Sequence, residues 1–162
     1  MISVRRTSAA IVMIGVLSMS TPHAVAQSLP PATVAALESA SAIYVATQRA
    51  SGERSDARPI WFIYDGGKIF FTTSPDSWKA KRIARGSPLY IWVGDEDGPF
   101  LTGTAEAVTD PALIDRMGEA YGKKYWIAWL GLFRPRSSRV TEGKTKAYLV
   151  TPSADALPAA PR

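Results

Sequence analysis

The sequence has no cysteine, and its only histidine, His23, lies near the N-terminus. The lack of cysteine excludes disulfide bonds and thiolate metal ligands. If the first residues are removed on export, the mature chain has no histidine either. This excludes Ser-His-Asp and Cys-His catalysis, Cys/His zinc sites and histidine-ligated heme. An exported domain without disulfides must then rely on its hydrophobic core for stability.

The apolar run at the N-terminus is too short to span a bilayer as a helix, and it is typical of a secretory signal peptide. Arg5 and Arg6 give a basic start, residues 7–20 are almost all apolar or small, and Ala24-Val25-Ala26 forms an A-x-A cleavage site. We therefore expect a periplasmic or secreted protein that begins at Gln27 and has no membrane anchor. The paired arginines leave open a twin-arginine route, which exports proteins already folded around a cofactor.

A strong charge of one sign is also missing. Removal of residues 1–26 lowers the Lys+Arg count from 19 to 17 and leaves Asp+Glu at 14, so the net charge falls from +5 to +3. This mild charge, together with export, argues against single-stranded nucleic acid as a partner. The length of 162 residues suits one domain. We expect a signal peptide (1–26), one domain (27–151) and a disordered Ala/Pro-rich tail (152–162).

Hydrophobic periodicity and turn residues predict six strands, joined mostly by hairpins or short helices. The predicted strands are Ile43–Gln48, Pro59–Tyr64, Lys68–Thr73, Leu89–Val93, Phe100–Val108 and Lys144–Thr151. The predicted helices are Thr33–Ala42, Pro75–Arg85, Asp110–Tyr121 and a short one within Tyr125–Phe133. Because the strands do not alternate regularly with long helices, the pattern favours a small, mainly antiparallel barrel over a doubly wound parallel sheet.

The segment Arg58–Arg85 combines several features of a phosphate site. Asp65-Gly66-Gly67 predicts a tight hairpin turn between two strands, and Thr72-Thr73 ends the second strand. Ser74 is expected to cap the next helix, with Pro75 as its first residue. That helix carries Ser77, Lys79 and Arg82. Hydroxyls, backbone N–H groups and cations at a helix N-terminus suit a phosphate, although a basic helix face is more often only solvated.

In order and spacing, these pieces resemble the pyridoxamine 5′-phosphate oxidase-like split-barrel flavoproteins. The matching pieces are Arg58-Pro59-x-Trp61-Phe62, the Asp-Gly-Gly turn, Phe-Phe-Thr-Thr at 70–73, Ser77-x-Lys79-x-x-Arg82-Ile83, Ser-Pro-Leu-Tyr-Ile-Trp-Val at 87–93 and Gly-Thr-Ala-Glu-Ala at 103–107. The resemblance covers about Ala42 to Val150. It implies a mainly β fold, a six-stranded antiparallel split barrel of Greek-key type with flanking helices. It also implies a homodimer with FMN, or in a related branch a deazaflavin coenzyme, at the interface.

The resemblance also implies a set of cofactor-binding residues. Arg58, Pro59, Ile60 and Trp61 would lie along the ring system, while Phe71, Thr72 and Thr73 would line the ribityl–phosphate path. Ser77 and Lys79 would hold the phosphate, with Arg82 nearby. Many members have an arginine directly before the lysine, where this chain has Trp78. That change removes one phosphate cation, which Arg82, one helical turn beyond Lys79, would partly replace.

Other readings of these residues stay open. Trp61, Phe71 and Trp78 suit a planar ligand, but large aromatics also fill cores and interfaces. Strand alternation places Phe70 opposite Phe71, so one of them needs cover from a flavin or a partner subunit. Arg134, Arg136 and Arg139 suit an anionic substrate or a solvated loop. Asp95, Glu96 and Asp97 fit a hairpin turn and not a metal site, so no metal is expected.

The resemblance leads to an exported FMN-dependent oxidoreductase acting on a small-molecule substrate that the sequence does not identify. The flavin itself would carry the redox chemistry, so no catalytic side chain is assigned. Two alternatives stay open: a deazaflavin-dependent reductase, and a non-catalytic carrier or sensor of a flavin or another planar ligand. Oxidation of pyridoxamine phosphate itself is not expected, because the C-terminal part of this chain lacks the histidine of the family's Arg/His segment.

Overall fold

The computed structural model describes residues 29–126 and 134–153. The predicted signal peptide (1–26), most of the predicted short helix within 125–133 and the tail from 154 onward lie outside the described residues. The strands are β1 (Ile43–Thr47), β2 (Arg58–Ile60), β3 (Ile63–Asp65), β4 (Lys68–Thr73), β5 (Leu89–Val93), β6 (Phe100–Val108) and β7 (Lys146–Ser153). The helices are α1 (Pro31–Ser39), α2 (Trp78–Ile83), α3 (Pro111–Lys124) and, labelled here in the order described, α4 (Ser137–Thr141).

The seven strands form one sheet in the order β2-β1-β5-β6-β7-β4-β3, and every neighbouring pair is antiparallel. Strands β4 to β7 have Greek-key order, because β4 lies beside β7. The two edge strands, β2 and β3, are consecutive in the chain, so the sheet curls round until its edges meet at one corner. The predicted antiparallel split barrel is confirmed, with seven strands in place of six.

The extra strand comes from a corner at Trp61–Phe62, which divides the single strand predicted over 59–64. At this corner, the hydroxyls of Tyr121 in α3 and of Tyr125 directly after it supply the backbone hydrogen bonds that a neighbouring strand would otherwise make. The Tyr121 hydroxyl donates to the Trp61 carbonyl at 2.6 Å. The Phe62 N–H donates to the Tyr125 hydroxyl at 3.0 Å. The chain can therefore pass from β2, which pairs with β1, to β3, which pairs with β4. The buried backbone groups at the corner keep hydrogen-bond partners although they leave the sheet.

The interior has two hydrophobic clusters, one on each face of β4. Phe71 packs inside the barrel with Phe62 and Tyr148. Phe70 packs outside it, under Tyr121 of α3, with ring centroids 6.3 Å apart. Both phenylalanines are at most 1% exposed. The expectation that one of them would need a flavin or a partner subunit as cover was therefore wrong, because α3 supplies the cover.

Helix α2 begins three residues later than predicted. Its cap is Ser77, whose hydroxyl accepts from the Ala80 N–H at 3.1 Å, and not Ser74. The Ser74 hydroxyl accepts from the Asp76 N–H at 3.3 Å, so residues 74–77 form a turn before the helix. At the other end, Gly86 adopts φ +82°, which ends the helix. The resulting helix has six residues and is too short for its dipole to contribute much to the binding of an anion. Any anion site here therefore depends mainly on the side chains of the helix.

Several smaller predictions are confirmed. Gly66 and Gly67 have φ of +55° and +76°, as the two-residue hairpin between β3 and β4 requires. Gly103 is a close-packing point, because a Cβ there would lie 2.6 Å from Val150 Cγ1. Asp95 closes its turn by accepting from the Asp97 N–H at 2.9 Å. The last strand is an exception, because β7 runs from Lys146 to Ser153 where Lys144–Thr151 was predicted. Pro152 and Ser153, which were expected to begin the disordered tail, therefore lie in a strand.

Candidate cofactor site

Two neighbouring cavities lie where β1, β2 and β4 meet α2 and the segment after α3. The smaller, of about 410 Å³, contains Lys79 among its lining residues and is called the Lys79 cavity. The larger, of about 900 Å³, contains Trp61 and is called the Trp61 cavity. Thr73, the last residue of β4, lines both of them. Together they offer adjoining spaces of the size usual for small-molecule sites.

The wall of the Lys79 cavity carries a chain of hydroxyl groups. Thr73 Oγ1 donates to Ser77 Oγ at 3.2 Å, and Ser77 Oγ also accepts from the Ala80 N–H. With its lone pairs occupied in this way, the Ser77 hydroxyl has its own proton left to donate. Thr47 and Ser55, which line the same cavity, lie with their hydroxyl oxygens 3.4 Å apart. Such a wall can donate to phosphate oxygens.

Lys79 is the unusual charge of this cavity. It is partly buried, and desolvation by that burial lowers the pKa of its ammonium group to about 8. Among the described residues, every ion pair involves other cations, namely Arg49, Arg58 and Lys144. A partly buried ammonium without a carboxylate partner is costly, and a bound anion would offset that cost.

Arg82 lies one helical turn beyond Lys79 and lines the same cavity. Its Nη1 donates to Thr47 Oγ1 at 3.2 Å, which ties α2 to β1. Trp78, directly before Lys79, is 67% exposed and also lines the cavity. The Lys81 Nζ lies 5.3 Å and the Arg82 Cζ 5.7 Å from the Trp78 ring centroid. Trp78 thus brings an aromatic face, and no charge of its own, to the wall of this cavity.

The outer part of the Lys79 cavity is partly neutralised by Asp56. Asp56 Oδ1 lies 3.8 Å from Arg49 Nη2, and Asp56 Oδ2 lies 3.8 Å from Arg58 Nη2. All three side chains are exposed at the cavity rim, where such pairs are weak. The inner part, at Lys79, Ser77 and Arg82, is therefore the better place for a phosphate.

The Trp61 cavity combines flat and apolar groups with cations. Pro59, Ile60 and Trp61 line it from the β2 end, and Tyr121 lines it from α3. The Trp61 ring stacks on Tyr125 with centroids 4.6 Å apart and planes 8° apart, which fixes the orientation of the indole. Burial raises the pKa of the Tyr121 hydroxyl well above its usual value, so this tyrosine stays protonated. Arg134, Arg136, Arg139 and Lys144 also line this cavity.

The structure distributes the predicted site residues between the two cavities. The Lys79 cavity receives Arg58, Thr73, Ser77, Trp78, Lys79 and Arg82. The Trp61 cavity receives Pro59, Ile60, Trp61, Thr72 and again Thr73. Phe71 lines neither, because its side chain is fully buried inside the barrel. The phosphate-suited groups and the ring-suited groups thus occupy separate but adjoining spaces.

Sequence reasoning missed the contribution of β1 and the loop after it. Thr47, Arg49, Ser55 and Asp56 line the Lys79 cavity, although the sequence indicated only a strand end and a polar hairpin loop. The antiparallel pairing of β1 with β2 brings this loop beside Arg58. No local motif marks it, because its role depends on a strand pairing and on the Arg82–Thr47 bond across 35 residues.

The sequence pattern of the pyridoxamine 5′-phosphate oxidase family matches residues 29–154. The chain belongs to this family. A comparison with curated protein sequences gives no match. The family match spans all of the described residues, including those that line both cavities.

Solved structures support the same fold. One titled F420 Reductase has a TM-score of 0.52 and 24% identity, covering 78% of this chain and 97% of its own. The FAD and heme binding protein from Mycobacterium smegmatis has a TM-score of 0.54 and 21% identity, covering 76% of this chain and 66% of its own. HutZ, the heme storage protein from Vibrio cholerae, has a TM-score of 0.51 and 15% identity, covering 78% of this chain and 92% of its own.

The donor set fits a phosphorylated planar cofactor. Lys79, Arg82 and the Ser77 hydroxyl suit a phosphate, and the neighbouring Trp61 cavity suits a ring system. Within residues 29–126 and 134–153, no cluster of three or more His, Cys, Asp or Glu side chains is placed to hold a metal ion. In the same ranges, none of the helices has the length and apolar character needed to cross a bilayer.

Proposed function

We propose that this member of the pyridoxamine 5′-phosphate oxidase family binds FMN and acts as a flavin-dependent oxidoreductase on a small-molecule substrate. The observation that carries the proposal is the partly buried Lys79, which has no carboxylate partner among the described residues. It lines a cavity that adjoins, through Thr73, a larger one lined by Trp61. An anion at Lys79 and a ring at Trp61 would satisfy both features at once.

In this proposal, Lys79, Arg82 and the Ser77 hydroxyl hold the phosphate, and Trp61 with its β2 neighbours lies along the ring. FMN, when bound, would supply the transfer of hydride or electrons. The protein binds and orients the cofactor and excludes water from it. This division of work suits a chain whose only histidine is His23 and which has no cysteine.

A deazaflavin coenzyme is a second candidate for the same site, and Trp78 is the observation that favours it. The exposed indole stands where the resemblance leads us to expect a second phosphate cation, so the affinity for the FMN phosphate would be lower than with a cation at this position. A carrier that binds the same ligand without turnover would use the same residues. The visible spectrum and mass of the ligand released from purified protein separate FMN from deazaflavin. Reduction of the bound ligand by nicotinamide cofactors then separates an enzyme from a carrier.

The decisive experiment is a titration of FMN into wild-type protein and into the Lys79→Met variant. Loss of a charge-assisted contact to the phosphate is expected to weaken binding by about 10- to 100-fold. Riboflavin, which lacks the phosphate, should bind the two proteins equally. Lys81→Met is the matched control, because Lys81 is exposed on the same helix and lines neither cavity. Equal FMN affinity in wild type and Lys79→Met would refute the phosphate site.

We also propose that the protein is exported and forms a homodimer. Support for the dimer comes from Trp78 and Trp126, which are 67% and 74% exposed and would be covered by a second copy. Support for export is the A-x-A site at Ala24–Ala26 after an apolar run. Light scattering on the purified protein tests the homodimer. The mass of the secreted chain, which is expected to begin at Gln27, tests export.

A further inference from the structure

Much of the wall of the Trp61 cavity comes from one segment, residues 134–145, which is called the basic segment. It contributes six of the lining residues, namely Arg134, Pro135, Arg136, Arg139, Lys144 and Thr145. The sequence alone suggested either a solvated loop or a contact with an anionic ligand. The structure gives reasons to choose between these two interpretations.

The basic segment is attached to α3 at two points. The Asp115 carboxylate accepts from the Ser137 N–H at 2.9 Å and from the Ser137 hydroxyl at 2.8 Å. Gly118 allows the backbone of the segment to approach the helix, because a Cβ at that position would lie 2.3 Å from the Pro135 carbonyl oxygen. These two contacts hold the basic segment at a fixed place against α3.

The segment is also closed on itself. The Arg139 carbonyl accepts from the Lys144 N–H at 2.9 Å and from the Thr145 N–H at 3.2 Å. The Arg139 Nε lies 3.5 Å from Thr145 Oγ1. These bonds fix the backbone at the C-terminal end of α4, and the Asp115–Ser137 bonds fix its N-terminal end.

The side chains that line the Trp61 cavity carry an excess of positive charge. Its lining includes four cations and no carboxylate. Two acids outside the lining offset part of this charge. Glu142 pairs with Lys144 at 2.7 Å, and the nearby charge of Arg139 also lowers the pKa of Glu142. Asp115 bonds to Ser137, and the nearby charge of Arg134 also lowers the pKa of Asp115. Within the described residues, Arg136 and Arg139 belong to no ion pair. Like charges held together on one wall repel each other, and a bound anion would relieve that repulsion.

We propose that the Trp61 cavity binds an anionic substrate, with Arg136 and Arg139 holding its carboxylate, sulfonate or phosphate group. Without the cofactor, the apolar body of such a ligand would lie against Ile60 and Trp61, on the opposite part of the lining. With the cofactor bound, its ring would cover these two residues, and the apolar body of the substrate would lie against the ring. Arginine suits this role because its planar guanidinium presents paired donors to such groups. The inference deepens the proposed function, on which it rests for the redox step, but the anion binding itself requires no cofactor.

Fluorescence titration of the mature protein without added flavin tests the proposal. The probes are 8-anilinonaphthalene-1-sulfonate and its uncharged analogue N-phenyl-1-naphthylamine, which share an apolar ring system. We expect the sulfonate probe to bind about tenfold more tightly than the neutral one. The double variant Arg136→Gln/Arg139→Gln should lose that preference while keeping its affinity for the neutral probe.

Arg116→Gln is the matched control, because Arg116 is exposed on α3 and lines neither cavity. Equal affinity for both probes in wild type, or an unchanged preference in the double variant, would overturn the proposal. A preference lost in Lys79→Met but kept in the double variant would place the anion in the Lys79 cavity and also overturn it. Because the titration contains no flavin, its outcome is independent of whether FMN binds at Lys79.

Discussion

At the scale of single residues, the candidate site depends on charges whose environment differs from water. Lys79 shows this most clearly, because burial without a carboxylate partner among the described residues lowers its pKa to about 8. Asp56 shows the opposite situation, an exposed carboxylate that neutralises cations at the cavity rim. The two residues lead to different predictions about phosphate binding.

The first prediction concerns pH. The pKa of Lys79 is about 8 in the folded protein against 10.5 for a free lysine, so the unfolded chain holds more protons between these values. The destabilising contribution of Lys79 is therefore full below pH 8 and declines as the pH rises through this window. If FMN binding needs the protonated ammonium, affinity should fall by about fivefold from pH 8 to pH 9. Titrations of Lys79→Arg, which stays protonated, should show no such fall.

The second prediction concerns Asp56. Removal of its negative charge in Asp56→Asn should raise the affinity for FMN by about two- to fivefold at low salt, and less at high salt. Glu53→Gln is the control, since Glu53 lies 3.9 Å from Arg49 but does not line the cavity. The measurement is FMN titration at two ionic strengths. A lower affinity of Asp56→Asn at low salt would contradict the assignment of Asp56 to the rim.

At the scale of elements, α3 organises the molecule. Tyr121 in the helix and Tyr125 directly after it form hydrogen bonds with the backbone at the corner Trp61–Phe62. Asp115 and Gly118 of the helix hold the basic segment. One helix thus positions the ring-binding strand on one side and the cationic wall on the other. The sequence predicts the start of the helix at Asp110–Pro111, although the helix ends at Lys124, three residues beyond the predicted Tyr121. Both of its roles depend on contacts with residues about 60 or 20 positions away in the chain, which the sequence does not predict.

The third prediction tests the corner. Tyr125→Phe leaves the buried Phe62 N–H without its acceptor, which should lower the free energy of unfolding by about 1–3 kcal/mol. Tyr64→Phe, in the adjacent strand β3, is the control, because its hydroxyl makes no bond to the described residues. Urea denaturation of the two variants gives the comparison. Equal stability of both would show that the corner does not depend on the tyrosine hydroxyl.

The fourth prediction tests the contact between α3 and the basic segment. Gly118→Ala places a methyl group against the Pro135 carbonyl and should lower the free energy of unfolding by about 1–3 kcal/mol. Gly122→Ala, one turn later on the same helix, meets no atom within 4 Å and should raise it by about 0.5–1 kcal/mol. Urea denaturation measures both. Stabilisation of similar size in the two variants would mean that the close approach is absent in solution.

At the scale of the whole molecule, the curled sheet of the split barrel brings the two cavities together where its first strands, β2 and β1, approach its last strands, β4 and β3. Strands β2 and β4 are far apart in the sheet order, yet Arg58–Trp61 and Thr72–Thr73 line adjoining spaces. A ligand that spans both cavities would connect the two ends of the sheet. Its binding should therefore stabilise the fold as a unit.

The fifth prediction follows from this linkage. FMN at 100 times its dissociation constant should add about 2.7 kcal/mol to the free energy of unfolding. For a domain of this size, that corresponds to a rise in Tm of about 5–10 °C. Calorimetry with FMN and with riboflavin, and with Lys79→Met beside wild type, provides the measurement. A riboflavin effect equal to that of FMN would show that the phosphate contributes nothing to the stabilisation.

The sequence by itself determined the antiparallel class and most strand positions, because alternation and turn glycines act over short distances. It also drew attention to the segment Arg58–Arg82, most of whose candidate residues line the two cavities, although it placed the helix cap at Ser74 and not at Ser77. It also determined the positions of β5 and β6 to the residue. Only the tertiary structure decided that residues 59–64 split at a corner, that Phe71 lies in the core, and that Thr47, Asp56 and the basic segment join the site. Those outcomes depend on hydrogen bonds and packing between segments distant in the chain, which no local pattern of residues encodes.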